Sequence, residues 1–175
     1  NRNCEDLWSV LSNLVHSDKD FSKKLEIKLV GNVAPSVLKS IEFFGLKNFL
    51  KRVDHVDHSK AKVIQRSSQL LLLPIDRIDN AEFVITGKIF EYLQAKRPIL
   101  LIGPAHGDAA EIVNSCSAGV IANFNDTSTL KKIILEKFSL YIKGQNYCNS
   151  IGVDKFSYPH LTKDVVKLLE KAIND

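Results

Sequence analysis

Two side chains suited to an anionic, hydroxyl-bearing ligand stand three positions apart, Lys88 and Glu91, within the run Thr86-Gly87-Lys88-Ile89-Phe90-Glu91-Tyr92-Leu93-Gln94-Ala95-Lys96-Arg97-Pro98-Ile99. The spacing predicts a helix over 86–95 that begins just after a loop. The first turn of such a helix leaves backbone N–H groups without partners and carries the positive end of the helix dipole, so it can receive a phosphate. One turn further in, the Glu91 carboxylate can accept both hydroxyls of a ribose as charge-assisted hydrogen bonds. The same two residues also suit a plain surface ion pair on one helix face, and spacing alone does not choose.

Other groups carry weaker signals. Asp54-His55-Val56-Asp57-His58 has side chains that can bind a metal, but not the spacing of a zinc or two-metal site, and a polar loop of this kind serves turns and helix caps. No metal is expected. Gly103-Pro104-Ala105-His106-Gly107 can bring backbone amides and His106 close to a sugar or phosphate, or form an ordinary strand-to-helix turn. Cys116 follows an apolar helix face and is expected to be buried rather than nucleophilic. Trp8, Phe43 and Phe44 read as core or interface anchors.

The elements that must position these residues follow from periodicity. Leu7, Leu11 and Leu14, widened by Trp8 and Val15, predict a helix over 4–15. Residues 18–24 read as a polar connection, 25–30 as a strand ending at Gly31-Asn32, and Pro35 as the opening of a helix that Gly45 terminates. A short strand at 49–53 leads through the loop 54–59 to a helix over 60–67. The apolar run Leu70-Leu71-Leu72-Leu73, closed by Pro74, reads as a strand covered on both faces. After the helix at 86–95 come strands at 98–102 and 119–122 around a helix at 108–114, then a helix over 127–138. Residues 145–175 read as a polar connection and a terminal helix, which packs on the sheet or reaches toward a neighbouring domain. This alternation predicts an α/β fold: a Rossmann-like, open, mostly parallel sheet with helices on both faces.

Composition sets the bounds. With 175 residues, 45% hydrophobic and 25% charged, the chain can bury a sizeable core. It contains no methionine and begins with Asn1, which predicts a piece of a longer protein. Three cysteines, Cys4, Cys116 and Cys148, form no even framework and no C-x-x-C pair, so a reducing, cytoplasmic setting is expected. No apolar run approaches the roughly 20 residues that span a bilayer. The net charge of +4 comes from scattered basic pairs without an aromatic-basic RNA signature, and nucleic acid is not expected as a partner.

The run from Lys88 through Pro98 resembles the nucleotide-sugar-binding motif in the carboxyl-terminal domain of the retaining, two-domain enzymes of glycosyltransferase family 4, where a helix bearing Lys, Phe, Glu and Tyr is closed by a short basic turn and then Pro plus an apolar strand. The resemblance extends from Leu29-Val30-Gly31, through residues 70–74, to Gly119-Val120 and the helix after Asp126, which is most of the chain. It implies that residues 1–175 are a nucleotide-sugar-binding domain, one half of a GT-B architecture. Glu91 matches the family glutamate that binds the donor ribose. Lys88, at the start of the same helix, is implied as the catalytic and phosphate-binding cation, with Gly87, His58 and Gly107 beside the donor. Arg2 resembles the basic contact to the donor diphosphate, and a strand with a glycine-bearing turn is implied ahead of it.

One position departs from the pattern. Many members of the family place a second glutamate eight positions before the first, and here Phe83 stands there, with Glu82 beside it. Either Glu82 serves after a one-residue loop adjustment, or this branch dispenses with the group.

The implied activity is transfer of a sugar from a nucleoside diphosphate sugar to a saccharide or lipid-linked acceptor, as in surface polysaccharide assembly, with retention at the anomeric carbon and no cofactor. A missing amino-terminal domain would bind the acceptor, so the isolated chain is expected to be inactive. The intact enzyme is expected in the cytoplasm, with peripheral attachment at the inner face of the membrane as an option. The alternatives are a domain related to nucleotide-sugar epimerases and a noncatalytic nucleotide-binding module.

Overall fold

The apolar run after Arg97-Pro98 folds as strand β4 (Ile99–Ile102), every residue of which is buried. Successive side chains of a strand point to opposite faces, so a strand apolar throughout must be covered on both. Leu100 and Ile102 enter one core, with Leu7, Trp8, Leu11 and Leu14 of α1 (Glu5–Ser17) and Leu130, Ile133 and Ile134 of α7 (Thr127–Ile142). Ile99 and Leu101 enter the other, with Ile89 and Leu93 of α5 (Lys88–Ala95) and Ala109 and Val113 of α6 (Asp108–Ser115).

The computed structural model describes residues 3–174. Within them β4 lies between β3 (Leu71–Pro74) and β5 (Gly119–Ala122), parallel to both, with Leu71 opposite Ile99 and Ile99 opposite Gly119. A second parallel pair joins β1 (Ile27–Val30) to β2 (Leu50–Val53). The first core spans both groups, because Ile27 and Leu29 of β1 pack in it together with Leu100 of β4 and Leu72 of β3. Among the described residues neither β1 nor β3 pairs with a strand along its other edge.

The architecture is thus the expected one, parallel strands with helices on both faces, and several boundaries differ. Residues 19–24, expected as a polar connection, form a short helix α2 (Lys19–Lys24). The Asp18 carboxylate caps it by accepting from the amides of Asp20 and Phe21, and only Phe21 is buried. A helix that buries one residue in six leaves almost no apolar period to read. α4 (His58–Ser67) begins two residues earlier than expected, because Asp57 caps it by accepting from the Lys60 amide at 2.8 Å. His58 therefore lies in the first turn of a helix rather than in the preceding loop. Asp126 caps α7 in the same way through Thr129.

α3 (Pro35–Phe43) opens on proline as expected and packs through Ile41. Trp8 is buried and its Nε1 donates to Asn3 Oδ1 at 3.1 Å, whereas Phe43 is 84% exposed and belongs to no core. Residues 145–156 run against the segments that enter β3 and β5. Asn146 Nδ2 donates to the Gln69 carbonyl, the Ile151 amide donates to the Cys116 carbonyl, and Phe156 packs on Phe90. Beyond them α8 (Tyr158–Asn174) is amphipathic, with Leu161, Val165, Leu168, Leu169 and Ile173 all exposed. No helix among the described residues is long and apolar enough to cross a membrane.

The start of β5 tolerates no side chain. A Cβ on Gly119 would lie 2.0 Å from the backbone oxygen of Ile99. Gly119→Ala should therefore lower unfolding stability by about 3 kcal/mol or more in urea denaturation. Gly144→Ala, where φ is +68 and the space is open, should cost only about 1 kcal/mol. Equal losses would contradict the tight β4–β5 approach.

The capping carboxylates make a second expectation. Hydrogen bonds from Ser59 and the Lys60 amide hold Asp57 below its ordinary value of 3.8, and those from Thr129 and Ser128 do so for Asp126. Groups with depressed folded values stabilise fully above the unfolded value, and that contribution is lost as pH falls through the folded one. The thermal midpoint should decline below about pH 4, and the double variant Asp57→Asn, Asp126→Asn should decline less steeply.

Candidate functional site

The five strands among the described residues run parallel within their sheets, so in each sheet the strand ends that feed a helix lie on one edge, where open α/β sheets bind ligands. Gly87, Lys88, His58 and Gly107 each stand at the start of a helix that follows a strand. His58 is the first residue of α4, Gly87 and Lys88 open α5, and Gly107 opens α6.

No side chain caps α5 at Gly87, although Thr86 Oγ1 accepts from the Lys88 amide at 3.2 Å. Lys88 is exposed, and no ion pair to it occurs among the described residues. Its ammonium group is thus available to an anion arriving at the helix start. Glu91 lies half-buried in the first turn of the same helix. It turns toward α4, where Gln65 Nε2 donates to its Oε2 at 3.0 Å. A surface pair between Lys88 and Glu91, the plain alternative, is not formed. Tyr92 next to it has its hydroxyl pKa pushed up, first by burial and then by the charge of Glu91.

α4 leads from the end of β2 back to the start of β3. His58 at its start lines a cleft of about 400 Å³ with Val30 and Gly31 from the end of β1 and His55, Val56, Asp57 and Ala61. Gln65, seven residues on, is the one that holds Glu91, which sets His58 and the Gln65–Glu91 contact about 10 Å apart along the helix axis. Below the contact, Arg97 Nε donates to the Arg66 carbonyl at 2.6 Å and ties the turn after α5 to the end of α4.

Gly107 has a different neighbour. A Cβ there would lie 2.7 Å from the backbone oxygen of Glu82, so this glycine lets the 103–107 loop close against the single-turn helix Ala81–Phe83. Its amide donates to the Pro104 carbonyl at 3.1 Å. Glu82 and Phe83 themselves are exposed. His106 is exposed as well, and the Ala105 amide of that loop donates to Asn123 Oδ1. Arg2 lies outside the described residues.

Two contacts around these residues were not visible in the sequence. Gln65 carries no signal of its own, because its partner is 26 positions away. Arg77 is the other. It pairs with Asp6 of α1, donates to Asn125 Oδ1 at 2.7 Å and stacks 4.7 Å over the Phe124 ring, while the Asn125 amide donates to Asp6 Oδ2. This clasp fixes the first turn of α1 to the loops after β3 and β5. Beneath it, burial pushes the Cys4 thiol up to about 12 against the opposing effect of Arg77, which leaves Cys4 unreactive as a nucleophile. Cys116 is fully buried, as expected. No group of three or more His, Cys, Asp or Glu able to hold a metal occurs among the described residues.

No protein-family model and no curated protein matches this sequence. Among solved structures the chain is similar to WaaG, a glycosyltransferase involved in lipopolysaccharide biosynthesis, with a TM-score of 0.61 at 14% identity over 82% of this chain and 36% of that one. An identity that low carries architecture and not chemistry. The chain is a Rossmann-like α/β domain with the fold of one half of a two-domain GT-B protein.

Proposed function

We propose that this domain binds the nucleoside diphosphate sugar of a retaining glycosyltransferase, and that a second domain completes the enzyme and supplies the acceptor. The observation that carries the reading is the opening of α5: an exposed cation at Lys88 and, one turn on, a half-buried carboxylate at Glu91 held by a neighbouring helix. Those two groups stand where the sequence resembles the donor-binding helix of glycosyltransferase family 4, and the fold is similar to that of a glycosyltransferase.

In this reading Glu91 accepts the two ribose hydroxyls. The start of α5 and the Lys88 ammonium take the diphosphate. As the bond from the anomeric carbon to the diphosphate breaks, negative charge grows on the departing phosphate oxygens, and a fixed dipole and cation stabilise that charge more than they stabilise the bound substrate. The cleft at His58 lies at the end of β1 and is wide enough for part of the nucleotide. Gly107 acts at one remove, by letting the 103–107 loop close on the segment that leads into α5. Arg2 adds a further diphosphate contact.

The rest of the enzyme follows from the resemblance and from surfaces of this domain. WaaG is longer than this chain, which covers 36% of it, and the exposed apolar face of α8 suits a second domain that carries a saccharide or lipid-linked acceptor. A strand ahead of Arg2 would pair with the open edges of β1 and β3. The whole enzyme would work in the cytoplasm or at the inner face of the membrane, and this chain alone would bind donor without transferring sugar.

Calorimetric titration with uridine, guanosine and adenosine diphosphates tests the reading. One of the three should bind saturably, and Glu91→Ala should weaken it by about tenfold or more, the worth of hydrogen bonds to a charged group. Absence of saturable binding, or binding indifferent to Glu91→Ala, would sink the assignment. Lys88→Ala should weaken the diphosphate more than the corresponding nucleoside. An equal effect on both would remove Lys88 from the phosphate site.

A further inference from the structure

The amide of Gln65 is placed at a cost. A carboxylate only accepts hydrogen bonds, so the amide must turn its NH2 end toward Glu91, and Nε2 donates to Oε2 at 3.0 Å. That orientation sends Oε1 into a fully shielded position where it has no hydrogen-bond partner. A buried acceptor left unmet costs about 1–3 kcal/mol. An apolar side chain of similar volume at position 65 would remove that penalty, so packing and stability do not account for a glutamine here.

What the glutamine does accomplish is to hold Glu91. It is the one hydrogen-bond partner of the Glu91 side chain among the described residues, and it occupies Oε2 and leaves Oε1. The holding group is itself fixed. Gln65 lies in the last turns of α4, and Arg97 locks that end of α4 to the turn after α5 through the Arg66 carbonyl. A glutamate on a helix surface otherwise explores several rotamers, and ordering such a side chain on binding costs about 0.5–1.5 kcal/mol.

We infer that Gln65 is a positioning residue for ribose recognition: it fixes the Glu91 carboxylate in advance, with one oxygen engaged and the other presented to the vicinal hydroxyls of the nucleotide. This rests on the reading of Glu91 as the ribose contact. Gln65 touches neither the sugar nor the phosphates, so its effect should be confined to discrimination at the ribose.

The test is titration of the chain with the tightest-binding of the three nucleoside diphosphates and with its 2′,3′-dideoxy counterpart. Gln65→Met preserves side-chain volume and removes the amide. It should lower the ratio of ribose to 2′,3′-dideoxyribose affinity by about 3- to 10-fold, the ordering cost returned to the binding step. Affinity for the 2′,3′-dideoxy compound, which has no hydroxyl for Glu91, should stay unchanged, and the thermal midpoint should hold or rise. In a Glu91→Ala background the same substitution should have no effect on the ratio. Gln65→Leu serves as the second variant where Gln65→Met fails to fold. Positioning by Gln65 alone is overturned if Glu91→Ala collapses the ratio while both Gln65 variants leave it intact, or weaken the two ligands equally. If Glu91→Ala leaves the ratio unchanged, the ribose role of Glu91 falls, and the role of Gln65 falls with it.

Discussion

Burial of β4 on both faces is the constraint from which the rest of the molecule follows. Four successive apolar residues, each worth about 1.5–3 kcal/mol when removed from water, require a layer of helices on either side. Those helices can be supplied by short connections only if the neighbouring strands run parallel and the chain crosses over between them. The crossovers then deliver the starts of α5, α6 and α7 to one edge of the β3–β5 sheet. Dipole ends and backbone amides gather there as a by-product of covering a greasy strand, before any residue is chosen for chemistry.

The charged residues along that edge divide into two kinds. Arg77 is fully engaged, by Asp6, by Asn125 and by the face of Phe124, and its work is to join α1 to two loops. Lys88 is exposed and unpaired among the described residues. Glu91 is intermediate, half-buried and held by a neutral amide rather than by a cation. A neutral partner orders a carboxylate without neutralising it, so its negative charge is available to hydroxyl donors. Pairing with Lys88 would have spent both charges on one another.

The sequence revealed the strands whose apolar runs have no polar alternative. β3 was legible as a strand covered on both faces, β4 as a strand, α5 as a helix with Glu91 one turn inside, and Cys116 as buried. Where burial is slight, the signal is too. α2 escaped because only Phe21 of its six residues reaches the core, although Asp18 was a fair capping signal ahead of it. His58 reads as a loop residue because Asp57 has the character of any polar turn residue, and only the bond Asp57 accepts from the Lys60 amide identifies it as the cap. The candidate site was legible as separate residues, Gly87, Lys88 and Glu91 on one segment and His58 and Gly107 on two others. The contacts between segments were not, and Gln65, Arg97 and Arg77 gain their meaning from partners that no local pattern reveals. Gly107 likewise reads as a loop glycine near a ligand, whereas its lack of a side chain is required by the Glu82 backbone.

The unpaired edges of β1 and β3 have a consequence for how the chain behaves in company. Backbone groups alternate between the two edges of a strand. Because Gly31 bonds to β2 and Leu71 to β4, Lys28, Val30 and Leu72 direct theirs to the unpaired edges. Such a row is a template for any passing strand, including one from a second molecule. Pro74 has no N–H to offer at the end of β3, and the Lys28–Glu26 ion pair places charged groups beside the edge of β1, both of which discourage adhesion. The two edges thus withhold part of what an intruding strand would need, through residues that no ligand touches.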